Sequence, residues 1–185
     1  RFSADTDDII IGDSDTTFHS AADDNIAIGD GALDATSGAA VRNIAIGVNA
    51  LTDLTTSDGV VAVGYHSGKS IQGGARNTCV GYRTGEDLVS GESNTMLGFD
   101  TGKNITGSHN TLLGNNVLGN ATAGADHCTV IGSYAGYLTT EGADGTVAVG
   151  SYALTALTTG AGNIAIGYQA ADGITTGARN IAIGY

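Results

Sequence analysis

Short apolar tripeptides closed by glycine recur along the whole chain: Ile-Ile-Ile before Gly12, Ile-Ala-Ile before Gly29 and Gly47, and Val-Ala-Val before Gly64. The same place returns at Gly81, Gly98, Gly114, Gly132, Gly150, Gly167 and Gly184, with successive spacings of 17, 18, 17, 17, 17, 16, 18, 18, 17 and 17 residues. A period held this closely is the mark of a stacked repeat, in which each unit buries its apolar side only against its neighbours. The segments between turn signals are three to five residues long, too short for helices and rich in the β-branched residues that favour strands. Two corners are marked in each period. One follows the anchor glycine and the other falls at the Ser-Gly or Thr-Gly pairs ending in Gly38, Gly91, Gly107, Gly160 and Gly177. The pattern predicts an all-β fold: a parallel β-solenoid, a β-helix or β-roll, of about ten 17-residue coils that forms a single array over residues 1–185. At about 3.3 Å per residue one period has roughly 55 Å of contour, and stacking at about 4.8 Å makes a rod of about 48 Å.

The strand tripeptide carries a second message. Neighbouring side chains of a strand point to opposite faces, so Ile26 and Ile28 share one face and Ala27 takes the other. The isoleucine face is expected to fill the coil. The other row is Ile10, Ala27, Ala45, Ala62, Cys79, Met96, Leu112, Val130, Ala148, Ala165 and Ala182, without a polar residue. Left open, it would expose on the order of 500 Å² of apolar surface, the upper range that soluble monomers tolerate. Its expected cover is the same row on identical neighbours, which makes these eleven residues the predicted oligomer interface.

Composition narrows the functional classes. Of 185 residues 30 are Gly, none is Pro or Trp, and only 14% are charged, a recipe for a narrow stacked core and not a wide globular one. A formal charge of -12 with seven Lys and Arg argues against nucleic acid as a partner, since phosphate binding depends on those side chains. No apolar run approaches the length of a membrane span, so membrane insertion is not expected. The chain opens at Arg1 and stops one residue after its last anchor without a capping element, so it is expected to be a segment of a longer fibre chain or to stack end to end.

Candidate chemistry is sparse. Asn25, Asn43, Asn77, Asn94, Asn110, Asn163 and Asn180 all stand four residues before an anchor, where amides can bond up and down the stack as a structural ladder. Tyr65, Tyr82 and Phe99 follow three consecutive anchors and Tyr168 and Tyr185 follow the last two, while Tyr134 and Tyr152 sit one place further on. They are read as rings stacked from coil to coil, with a sugar-binding strip as the alternative. His109 and His127 occupy equivalent places on adjacent coils and are weak candidates for a metal or anion. They lack a carboxylate cluster, and no metal or other cofactor is expected. His19 and His66 have no partner at an equivalent place. Asp5, Asp7, Asp8, Asp13, Asp15, Asp23 and Asp24 lack the spacing of a calcium loop and read as a solvated acidic edge. Cys79 and Cys128 lie about three coils apart, beyond disulfide reach, and read as small buried apolar residues. No nucleophile stands paired with a base and no phosphate-binding glycine loop survives outside the repeat, so no enzyme is expected.

The string Asn-Ile-Ala-Ile-Gly-Tyr-Gln-Ala at 163–170, with Ile-Thr-Thr-Gly-Ala-Arg-Asn-Ile-Ala-Ile-Gly at 174–184, resembles the repeat arrays of bacteriophage and phage-like tail fibres. It is also similar to the head repeats of trimeric autotransporter adhesins. The resemblance covers nearly all of the chain, and it implies a parallel homotrimeric rod with a structural or adhesive role, located on a virion or outside the cell. The expected function is the shaft of a tail fibre or other surface fibre. A trimeric adhesin head or stalk, a carbohydrate-binding solenoid and an end-to-end filament subunit remain as alternatives. The expected partner is the chain itself, with a cell-surface glycan or receptor engaged through other parts of the fibre.

Overall fold

The computed structural model describes residues 9–12, 24–36, 40–120, 124–140 and 142–185. Gly38, His19 and the acids Asp5, Asp7, Asp8, Asp13, Asp15 and Asp23 lie outside the described residues. The described chain is a β-solenoid. Eleven strands, β1 (Ile9–Ile11), β2 (Ile26–Ile28), β3 (Ile44–Ile46), β4 (Val61–Val63), β5 (Thr78–Val80), β6 (Thr95–Phe99), β7 (Thr111–Asn115), β8 (Thr129–Ile131), β9 (Val147–Val149), β10 (Ile164–Ile166) and β11 (Ile181–Ile183), form one parallel sheet in sequence order. The register follows the repeat without a slip: Ala27 pairs with Ala45, Ala45 with Ala62, and Ala148 with Ala165.

The sequence reading had the two faces of the strand reversed. Ala27, Ala45, Ala62, Cys79, Met96, Leu112, Val130, Ala148 and Ala165 are sealed inside their own coils, and only Ile10 and Ala182, in the outermost strands, are half-open. The row expected to be an oligomer interface is therefore the core of the solenoid. Isoleucines and valines on either side of it face outwards. The physical reason is the narrowness of the coil. A second buried column stands three residues after the anchor, Ala32, Ala50, Ser67, Thr84, Thr101, Val117, Ala135, Ala153 and Ala170, mostly small side chains that leave the coil narrow. Leu33, Leu51, Leu54, Ile71, Leu88, Ile105, Leu118, Leu154 and Leu157 fill the remaining width from the far corner.

The corners use the left-handed backbone region more than glycine counting suggests. Each described coil places residues with φ near +60° five before, two after and four after its anchor, and many carry side chains: Arg76 (φ 60), Arg83 (φ 52), His109 (φ 62) and Leu118 (φ 47) among them. Such residues persist only where their surroundings over-determine them. Here each is pinned by a backbone bond to a neighbouring coil, as in Arg83 N–H to the Tyr65 carbonyl at 2.9 Å and His109 N–H to the Glu92 carbonyl at 2.9 Å. The anchor itself admits only glycine. Gly81 has φ +132, and a Cβ there would stand 1.7 Å from the Gly98 carbonyl oxygen of the next coil.

The asparagine ladder forms as expected. Asn94 accepts the Asn110 backbone N–H on its Oδ1 at 3.0 Å, donates from Nδ2 to the Gly107 carbonyl at 2.9 Å, and bonds Asn77 Oδ1 at 3.1 Å. The same linkage joins Asn25 to Asn43 and Asn163 to Asn180. Since a buried amide without partners costs about 1–3 kcal/mol, the ladder both satisfies the interior and fixes the register of successive coils. Cys128 occupies a ladder position, donates its backbone N–H to Asn110 Oδ1 at 2.9 Å, and directs its thiol at the Ala143 carbonyl at 3.3 Å.

Candidate functional site

Because the strand's middle residue points inwards, the residues on either side form the outer face of the sheet. Ile26 and Ile28, Ile44 and Ile46, Val61 and Val63, Val147 and Val149, and Ile164 and Ile166 face out in pairs. Ala165 is 0% exposed, whereas Ile166 beside it is 40% exposed. β6 runs on to Phe99, so the residue after the anchor shares this face. That adds Val48, Tyr65, Tyr82, Phe99, Tyr168 and Tyr185, all exposed. The result is a strip of two mainly apolar strand columns running the length of the rod, with a third column that is apolar at these six levels and polar at Asp30, Asn115, Ser133 and Ser151. Thr78, Thr95, Thr111 and Thr129 are the only polar residues in its two strand columns.

The aromatic column stacks as predicted. Ring centroids are 5.3 Å apart for Tyr65 and Tyr82, 4.9 Å for Tyr82 and Phe99, and 5.7 Å for Tyr168 and Tyr185. Tyr134 and Tyr152 stack at 5.5 Å one place further round. The Tyr65, Tyr82 and Phe99 rings lie within 14° of parallel, so their faces cover one another and their edges point out. A sugar platform needs open ring faces, so this arrangement suits packing against a surface better than holding a saccharide.

Beside the strip lies a charged cluster that the sequence reading missed. Glu86 is almost buried. It accepts a hydrogen bond from His66 Nδ1 at 2.8 Å and another from Arg83 Nε at 2.6 Å, with Lys103 Nζ at 3.8 Å. The Asn49 amide lies 3.3 Å from His66 Nε2, and Arg83 reaches Asp100 at 3.8 Å. Burial works to raise the Glu86 carboxyl, but the bonds from His66 and Arg83 outweigh it and hold the group below the usual carboxylate range. The signal was present in the period: Asn49, His66, Arg83 and Asp100 each stand two residues after an anchor, and Glu86 and Lys103 five after. His66 thus finds its partner at a different place in the repeat.

His109 and His127 are brought together, with parallel rings 4.9 Å apart. Among the described residues they belong to no group of three or more side chains able to hold a metal ion. Cys79 and Cys128 are both free and buried. Burial pushes the Cys79 thiol up to about 12, which leaves it without a reactive thiolate at neutral pH. No helix among the described residues is long and apolar enough to cross a membrane. Compared with known protein families, curated proteins and solved structures, the chain has no match.

Proposed function

We propose that the chain is a rigid structural segment of an extracellular or virion fibre, such as a tail-fibre shaft, which assembles with copies of itself through the outer face of its sheet. The observation that carries this reading is the mainly apolar outer face of the sheet on a rod whose interior is already filled. The ten intervals between eleven strands, at about 4.8 Å each and a width of about 13 Å, amount to roughly 600 Å² per copy, which matches the per-partner area of a small stable interface. Exposed apolar patches of that size mark interaction sites. Parallel association lets every coil meet an equivalent coil, and the resemblance of the repeats to trimeric fibre arrays favours three copies. The interface residues are then the outward ones, Ile44, Ile46, Val61, Val63, Leu97, Leu113, Ile164 and Ile166 with their equivalents, in place of the alanine row.

Sedimentation velocity tests the reading. The wild-type chain is expected to run as an oligomer, and Ile166→Asp to shift it towards monomer while the far-ultraviolet circular dichroism stays unchanged. A wild-type monomer at micromolar concentration refutes the reading.

A further inference from the structure

The first strand column of the outer face keeps one side-chain shape throughout. From Ile9 to Ile181 its eleven residues are all β-branched, and neither strand column carries a charge at any level. Four consecutive coils interrupt its apolar character. Thr78, Thr95, Thr111 and Thr129 follow Val61 and precede Val147, so one contiguous polar block stands between two apolar ends. Threonine has nearly the outline of valine with a hydroxyl in place of one methyl, so the block changes the chemistry of the column and not its shape.

None of the four hydroxyls has a hydrogen-bond partner among the described residues, and Thr95 and Thr111 are exposed. Coils stack about 4.8 Å apart, beyond the reach of an O–H···O bond, so the column cannot satisfy itself along the rod. Partners must come from outside the chain. Covered by the aliphatic residues of a neighbour, each hydroxyl would lose its water and gain no bond, which opposes burial. Beside its own copies the balance reverses. A hydroxyl both donates and accepts, so identical hydroxyls around a cyclic axis can close a ring at one level, each donating to the next. A carboxylate or an ammonium cannot, since each lacks one of the two roles.

We infer that the threonine column lies on the symmetry axis of the assembly, where the hydroxyls of the copies close a ring at each of its four levels and set the axial register. This rests on the proposed self-assembly through the sheet face, and it adds which column is central and what stops the copies from sliding. An aliphatic row repeated in every coil looks the same after a slip of one coil and loses one row of contact in eleven. The threonine block does not. A slip of one coil sets Thr78 against Val61 at one end and Thr129 against Val147 at the other, and each further coil adds a mismatch at both ends. A polar residue in a coiled-coil seam fixes register in the same way, at a cost in affinity.

The test uses two full-length variants, Val147→Cys and Ile164→Cys, which place a thiol in the same column on adjacent coils, while the native Cys79 and Cys128 are buried. The two are mixed, assembled and mildly oxidised, and disulfides between chains are mapped by mass spectrometry. A disulfide needs Cα atoms within about 7 Å, so only residues close to the axis qualify. In the threonine background each cysteine is expected to join its own level in another copy. With all four threonines changed to valine, disulfides between the two levels are expected as well, and sedimentation equilibrium is expected to show several-fold tighter assembly. An oligomer without same-level disulfides, with cross-level ones already in the threonine background, or unchanged by the four valines overturns the axial placement and leaves the assembly standing. A wild-type monomer overturns both.

Discussion

The central coils and the flanking coils reach the same cross-section by opposite means. In β2–β4 and β9–β10 the inward residue is alanine and the outward pair is Ile or Val. In β5–β8 the inward residues are Cys79, Met96, Leu112 and Val130, and the first outward residue is threonine every time. The larger inward side chains take space from the far corner. A Cβ on Gly102 would stand 2.6 Å from Met96 Sδ, and one on Gly85 2.7 Å from Met96 Cε, whereas the equivalent corner in three alanine coils holds Leu33, Leu51 and Leu154. The exchange is not settled within each coil, since Ala62 shares its coil with Gly68 and Leu112 with Leu118; side chains of adjacent coils fill the difference, as Leu51 does beside Gly68. The outer face has no such constraint, and its apolar character is strongest in the two flanking regions.

Five variants probe that contrast. The largest effect is expected from Ala165→Asp, which places an unpaired charge in the sealed interior; urea denaturation should show a loss of about 4 kcal/mol or more, enough to open the coil. Its neighbour Ile166→Asp should lose only the part of the stability that assembly supplies, a smaller shift of the midpoint that depends on protein concentration. Next is Met96→Ala, which removes the side chain that makes Gly85 and Gly102 necessary. A cavity with rigid walls should cost about 2–5 kcal/mol, and a matching methyl at Gly102 cannot compensate fully because it would still stand 2.9 Å from Leu112 Cδ1.

A smaller change is expected from Glu86→Gln, about 1 kcal/mol at neutral pH after allowance for solvent screening of its part-exposed partners. The sign follows from the lowered Glu86 carboxyl. The folded state holds the proton less tightly than the unfolded chain, so the stabilisation is complete above the ordinary carboxylate value of about 4.3 and disappears as pH falls through the lowered one. Thermal melts of wild type and variant should converge on acidification across that window. The smallest effect on the coil should come from Thr95→Ile with Thr111→Ile, within about 0.5 kcal/mol of wild type in urea. If the central threonines limit association, sedimentation equilibrium should show the double variant assembling several-fold more tightly.

Much of the molecule was legible in the chain. The period of 17 and its anchors identified every strand of the sheet, because each repeat must meet its copy in register and therefore keeps the same residue types at the same places. The asparagine ladder and the aromatic stack were legible for the same reason: a column of like side chains is visible as a spacing. The Glu86 cluster was not, since His66, Arg83 and Glu86 come from two different columns whose meeting depends on how the corner turns. Left-handed residues such as Arg83 and Leu118 were hidden as well, because the bonds between coils, and not local preference, hold them there.

Alternation along a strand states which side chains share a face, and here both faces are apolar, so it leaves open which one is inside. The sequence determined that Ala27 and Ile28 part company at every coil. Only the tertiary structure decided that the alanines go in. The interior behind the alanines is already filled by buried leucines such as Leu33, Leu51 and Leu154, so the isoleucines beside each alanine are left to the outer face.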